Sequence, residues 1–270
     1  MPVAELRPLS IGELLDKTFS LYRSHFFLFV GIMAVPGLLP LILVILSGMV
    51  ALIPASPAGA SAAIGLAVLG VVVFLLAYGV VYAMALAATV FAVSEIYLGG
   101  RDITIRGAYA KVRGRALRTL WMMIVLLLAI GVGLLLFIVP GVLVAVWYAV
   151  AIPAAIVENL KTGAAFRRSE ILTKGRRGSV FLVFVLFFVL NYVSAVLFGF
   201  PAALLAGLWP GVTGLVIQNL ATFVSGALVG PLLTIGLSLM YFDLRVRKEG
   251  FDLQLMLASL DSAPPVASPM

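Results

Sequence analysis

Three stretches of this chain contain no Asp, Glu, Lys or Arg: residues 24–94, 119–157 and 178–242. A water-soluble domain does not leave such runs uncharged, because about a quarter of its residues carry charge. Here 11% of residues are charged and 63% are hydrophobic, and the mean hydropathy is +1.21. A transmembrane helix needs about 20 apolar residues, and in lipid it satisfies its backbone polar groups within itself. The middle run has 39 residues, room for two spans joined by a tight turn at Pro140-Gly141. The other two are longer, each with a break near its middle at Pro54-Ala55-Ser56-Pro57 and Trp209-Pro210-Gly211. The expectation is an all-α polytopic membrane helical bundle. Its six transmembrane helices form three hairpins, at about residues 26–53, 61–98, 119–139, 141–157, 179–205 and 211–242.

All 18 Lys and Arg lie outside the uncharged runs, with three in residues 1–23, six in 101–118, six in 161–177 and three in 245–248. Strict hairpins put these four segments on one side, and the positive-inside rule makes that side cytoplasmic, with both termini. The N-terminus does not read as a cleavable signal peptide, because Glu5, Glu13 and Asp16 interrupt it. The chain has no cysteine and one histidine, His25, where a surface helix enters a span.

Residues 9–25 predict a cytoplasmic amphipathic surface helix. Ser10 and Glu13 form a capping box flanked by Leu9 and Leu14. Behind it Ile11, Leu14, Leu15, Thr18, Phe19, Tyr22 and Phe26 share one face. The device recurs. Ile105, Ala108, Tyr109, Val112 and Ala116 match Ile11, Leu14, Leu15, Thr18 and Tyr22 at an offset of 94, with Thr104 in the place of Ser10. Ala165, Phe166, Ser169 and Thr173 continue the pattern at a further offset of 57. Each hairpin is thus preceded by a surface helix. The repeat units are 9–98, 104–157 and 162–243 of a pseudo-threefold bundle within one transmembrane domain, 1–260. A fourth short helix is expected at 251–260 and a disordered tail at 261–270.

Each even-numbered span ends in one carboxylate, Glu95, Glu158 and Asp243. They are candidates for a convergent site at the cytoplasmic end, or for ion pairs with Arg101, Lys161 and Arg245 that fix the helix ends. No carboxylate lies deep within a span, where a proton-coupled transporter usually holds one. Asn191, Gln218, Asn219 and the prolines Pro36, Pro40, Pro153 and Pro231 read as interhelical bonds and kinks, or as broken helices around a site. Residues 101–118 together with Glu95 carry a net charge of +4, as do residues 158–177. Arg106, Lys111, Arg113, Arg115, Arg167, Arg168, Arg176 and Arg177 are candidate contacts for anionic lipid headgroups, each gaining about 1 kcal/mol. Without a nucleophile–base pair or a metal-ligand cluster, no catalytic, cofactor or metal site is expected. Nucleic acid is not an expected partner, because no recognition fold fits the basic segments. Membrane lipids are the expected partners, with a protein partner at the same face as an alternative.

Three segments carry a resemblance: RPLSIGELLDKTFSLYRSHF, AIPAAIVENLKTGAAFRRSEILTKGRRGSVF and GPLLTIGLSLMYFDLRVRKEGFDL. They resemble the membrane domain attached to some bacterial glycerophosphoryl diester phosphodiesterases, and similar stand-alone membrane proteins. The run Tyr241-Phe242-Asp243-Leu244-Arg245-Val246-Arg247 is its most specific part. Those enzymes carry their chemistry on a separate metal-dependent barrel, for which these 270 residues leave no room. The resemblance therefore implies a bacterial inner-membrane scaffold with no assigned reaction, acting on lipids or partner proteins at the cytoplasmic face. A transporter or lipid-moving permease, gated by the three carboxylates, is the alternative.

Overall fold

The computed structural model describes residues 7–50, 60–99, 103–251 and 253–254. These form ten α-helices and, among the described residues, no strand: α1 (Ile11–Ser24), α2 (Phe26–Val50), α3 (Ala60–Gly99), α4 (Ile105–Val112), α5 (Ala116–Leu136), α6 (Ile138–Trp147), α7 (Ala151–Val157), α8 (Thr162–Thr173), α9 (Arg177–Leu208) and α10 (Val212–Glu249). Six helical stretches are long and apolar enough to cross a membrane: Phe26–Ser47, Ala67–Gly99, Ile105–Leu136, Ile138–Val157, Arg177–Leu208 and Val212–Glu249. This is the set a multi-pass membrane protein requires. At 40 residues, α3 is about 60 Å long, twice the depth of a hydrocarbon core.

The starts of the short helices follow from their caps. Ser10 Oγ accepts from the Glu13 N–H at 3.3 Å, and the Glu13 carboxylate accepts from the Ser10 N–H at 2.7 Å, closing the capping box. The Ser10 N–H, then the Arg7 guanidinium, hold the Glu13 carboxyl down at about 2. Thr104 Oγ1 accepts from the Gly107 N–H at 3.1 Å. At α8 the cap position is Lys161, which makes no such bond because its ammonium has no acceptor. Leu14 and Thr18 are buried on α1, Ala108 and Val112 on α4, Ala165 and Ser169 on α8. These are the same positions at the offsets of 94 and 57, four residues apart and so on one stripe.

α1 packs on α10, α4 on α3, and α8 on α7; α5 pairs with α6, and α9 with α10. Among the described residues α2 lies mainly along α10 and less along α3. The core sits at the charged end of the bundle, where Val90, Val93, Phe29, Ile32, Leu239, Met240 and Phe242 are all buried. At the other end the apolar faces are open, with Leu135 88% and Phe137 75% exposed.

Two details depart from the expected spans. The α5–α6 turn falls at Phe137, whose backbone is extended, rather than at Pro140-Gly141. Pro140 lies in the first turn of α6, where its missing N–H would have had no partner. Gly133 meets Gly141 across the hairpin, where a Cβ would stand 2.7 Å from the Gly141 Cα. The expected single span 141–157 is also divided, by a turn at residues 148–150.

Prolines break helical hydrogen bonds, and the short helices close several of the gaps. Pro36 has no N–H for the Ile32 carbonyl one turn back; the Tyr109 hydroxyl on α4 donates to that carbonyl at 2.8 Å. Near Pro231 of α10, the Tyr22 hydroxyl on α1 donates to the Leu228 carbonyl at 2.7 Å. At the α6–α7 turn, Ser169 Oγ on α8 accepts from the Val150 N–H at 3.2 Å and donates to the Trp147 carbonyl at 2.9 Å. Thr173 donates to the same carbonyl at 3.2 Å. We expect Tyr109→Phe to cost about 1–2 kcal/mol, the penalty of an unmet buried acceptor. In a Pro36→Ala background, where an N–H returns, the same change should be nearly neutral. A double-mutant cycle by unfolding in micelles checks the coupling, and additive losses would refute it.

Candidate functional site: the charged end of the bundle

The run at 241–247 lies in the last turns of α10. Tyr241 and Asp243 are two residues apart, so they project about 200° apart around the helix. Each has a partner four residues on, and the end of α10 is clamped from two sides.

On one side is Glu158, which follows α7. Arg168 Nε on α8 donates to both of its carboxylate oxygens at 2.9 Å, and the Tyr241 hydroxyl donates to Oε1 at 2.6 Å. Arg245 approaches to 3.8 Å. Glu249 completes the ring, accepting from Arg168 Nη2 at 2.8 Å and Arg245 Nε at 3.1 Å. Burial alone would lower the Arg168 pKa, but the hydrogen bonds to Glu249 and Glu158 outweigh it and raise the value. Arg245 also stacks over the Phe251 ring at 3.8 Å.

On the other side, Asp243 is buried. It accepts from the Leu9 N–H at 2.7 Å and from Arg247 Nε at 3.1 and 2.9 Å. Arg247 Nη2 returns to the Leu9 carbonyl at 2.6 Å. Lys17 of α1 lies 4.6 Å over the Tyr97 ring, which packs on Phe242. Burial, and then Arg7, lower the Lys17 pKa. Two of the three candidate carboxylates are therefore consumed in joining α1, α7 and α8 to α10. Glu95 is half-buried on α3 and makes no hydrogen bond or ion pair among the described residues. The expected pairings shift accordingly: Glu158 takes Arg168 and Asp243 takes Arg247, while Arg101 lies outside the described residues.

The eight candidate headgroup contacts divide. Arg168 is in the ring, and Arg115 Nη1 donates to the Ile156 carbonyl at 2.9 Å. Arg106, Lys111, Arg113 and Arg167 are exposed without a protein partner among the described residues. Arg176 and Arg177 are half-buried, and their Nε atoms, with Trp147 Nε1, are buried donors that make no hydrogen bond. Among the described residues, no three His, Asp or Glu side chains gather as a metal site.

Inside the apolar part lie two cavities of about 260 and 240 Å³. Tyr82 and Gly230 line both, so they adjoin. The first is also bordered by Tyr78, Asn191, Asn219 and Thr222, the second by Tyr148 and Thr234. Pro40, Pro231 and Pro153 deprive the carbonyls of Pro36, Ala227 and Ala149 of their helical donors, and these three residues line the cavities too. Sequence reasoning missed Trp147, the Tyr22 and Tyr109 hydroxyls and Glu249. The tyrosines carried a signal, an aromatic hydroxyl on a helix facing proline-containing spans.

No protein-family model matches this chain, and no curated protein or solved structure matches it either.

Proposed function

We propose that this chain is a non-enzymatic multi-pass protein of a bacterial inner membrane that acts on membrane lipids at its cytoplasmic face. The observation that carries this is the imbalance of free charge. Glu158, Glu249 and Asp243 are neutralised by internal arginines, while Arg106, Lys111, Arg113 and Arg167 remain exposed and unpartnered among the described residues. Asp16 and Glu170 are exposed acids, but exposed basic residues outnumber them, so the net free charge beside the apolar helices is cationic, which attracts anionic headgroups. The three short helices are the amphipathic surface helices of a pseudo-threefold repeat, and each packs on the end of the span that precedes it in cyclic order. The three span pairs are its hairpins, with both termini in the cytoplasm.

The adjoining cavities favour a second reading, a transporter or lipid-moving permease, since polar groups and broken helices at membrane depth mark transport sites. Extraction in native lipid, with mass spectrometry of what accompanies the protein, separates the two. Enrichment of anionic phospholipid supports the first, and a stoichiometric small molecule the second. Lipids that mirror the bulk membrane would count against the first.

A further inference from the structure

An open groove of about 440 Å³ runs between α6 and the start of α9. Its walls are carbon, from Val139, Val142, Leu143, Val146 and Phe181, and Arg177 and Gly178 line it as well. Arg177 lies 4.7 Å over the Trp147 ring, at the last residue of α6. Arg177 Nε and Nε1 of the Trp147 ring beneath it are buried donors without acceptors, as is Nε of Arg176, the preceding residue. A buried N–H left unpaired is costly, and the missing partner is an acceptor. The charged neighbours deepen the demand for an anion. Lys248 Nζ donates to the Lys174 carbonyl at 2.6 Å, which brings a further positive charge beside the segment that leads into Arg176. No carboxylate pairs with Arg176 or Arg177 among the described residues.

The groove's length identifies the anion's other half. From Trp147 to the turn at Phe137, α6 has ten residues and rises about 15 Å, half of a hydrocarbon core of about 30 Å. A cationic end and one leaflet's depth of apolar wall fit a single amphiphile. We propose that the α6–α9 groove is a binding site for an anionic phospholipid, its phosphate at Arg176, Arg177 and Trp147 and one acyl chain along α6. This rests on the lipid-directed reading above and gives it a place and a lipid class.

The test uses the full chain with Trp121→Phe and Trp209→Phe, which leaves Trp147 as the only tryptophan. The protein is placed in mixed vesicles containing phosphatidylglycerol or phosphatidylcholine brominated on the acyl chains, and bromine quenching of Trp147 is read against mole fraction. With two arginines each favouring an anionic headgroup, phosphatidylglycerol should reach half-quenching at about 30-fold lower mole fraction. Arg176→Gln with Arg177→Gln should remove that preference. Gly178→Leu is the second variant: its side chain enters open space on a helix that favours Leu over Gly. It should fold, fill the groove and reduce quenching by both lipids. Equal quenching by the two lipids, or a preference unchanged by the arginine substitutions, overturns the site. Displacement of the lipid by millimolar inorganic phosphate also overturns it, by making this a free-anion site. Bulk enrichment of anionic lipid without selective Trp147 quenching would sink the groove alone and leave the broader reading standing.

Discussion

Asp243→Ala should release the N-terminal helix from the bundle, at a cost of about 3 kcal/mol. Removing one member of a buried ion pair strands the other, at about 3–5 kcal/mol; the low end applies because Arg247 is 27% exposed while Asp243 is 1% exposed. The same change orphans the Leu9 N–H, which lies 2.7 Å from the carboxylate. What then holds α1 is the burial of Leu14 and Thr18, the Tyr22 bond to Leu228 and the stacking of Lys17 on Tyr97. Because the chain has no cysteine, Thr18→Cys supplies a single reporter at a site that is fully buried. Maleimide labelling there should accelerate about 100-fold in the Asp243→Ala background, the factor that 3 kcal/mol implies. Asp243→Asn, which keeps an acceptor for Leu9, should accelerate it less. Unchanged labelling in Asp243→Ala would show that α1 is held elsewhere.

The parts of this architecture that the residue pattern reveals are those with local causes. Ser10, Glu13 and Thr104 cap helices through bonds that reach three residues, and the offsets of 94 and 57 mark which side chains each short helix buries. The division of the fourth span has no local cause. Residues 119–157 are uniformly apolar, and the groups that close the gap, Ser169 and Thr173, come from 19 to 26 residues further along. The ion pairs were half legible. Asp243 takes Arg247 rather than Arg245 because residues four apart share a helix face and residues two apart do not. Glu158 passes over Lys161 for Arg168, since α8 folds back across the end of α7. The unpaired donors at Trp147, Arg176 and Arg177 belong to two distant helix ends and exist only once α6 meets α9.

Glu158→Gln should destabilise the protein by about 2–3 kcal/mol, a discounted value because its ring partners are partly exposed. Two acids and two bases balance in that ring: Glu158 and Glu249 against Arg168 and Arg245, whose side chains are 23% and 14% exposed. Without the Glu158 charge both arginines share Glu249, and one positive charge is left uncompensated between α8 and α10. The Tyr241 hydroxyl loses its charged acceptor as well. Glu158→Gln combined with Arg168→Gln should therefore recover about half of the loss, as groups in one network are not additive. Glu95→Gln, with no partner to strand among the described residues, should stay within about 0.5 kcal/mol. Unfolding in micelles at two salt concentrations measures all three, and most of the Glu158 effect should survive added salt because partly buried pairs are screened much less than exposed ones. The contrast bears directly on a carboxylate gate. A gate must release and rebind its charge at low cost, and Glu158, held by an arginine on both oxygens and by a tyrosine, is built instead to keep α7, α8 and α10 together. If Glu158→Gln left stability untouched while altering flux, the ring would be a switch and the transport reading would take precedence.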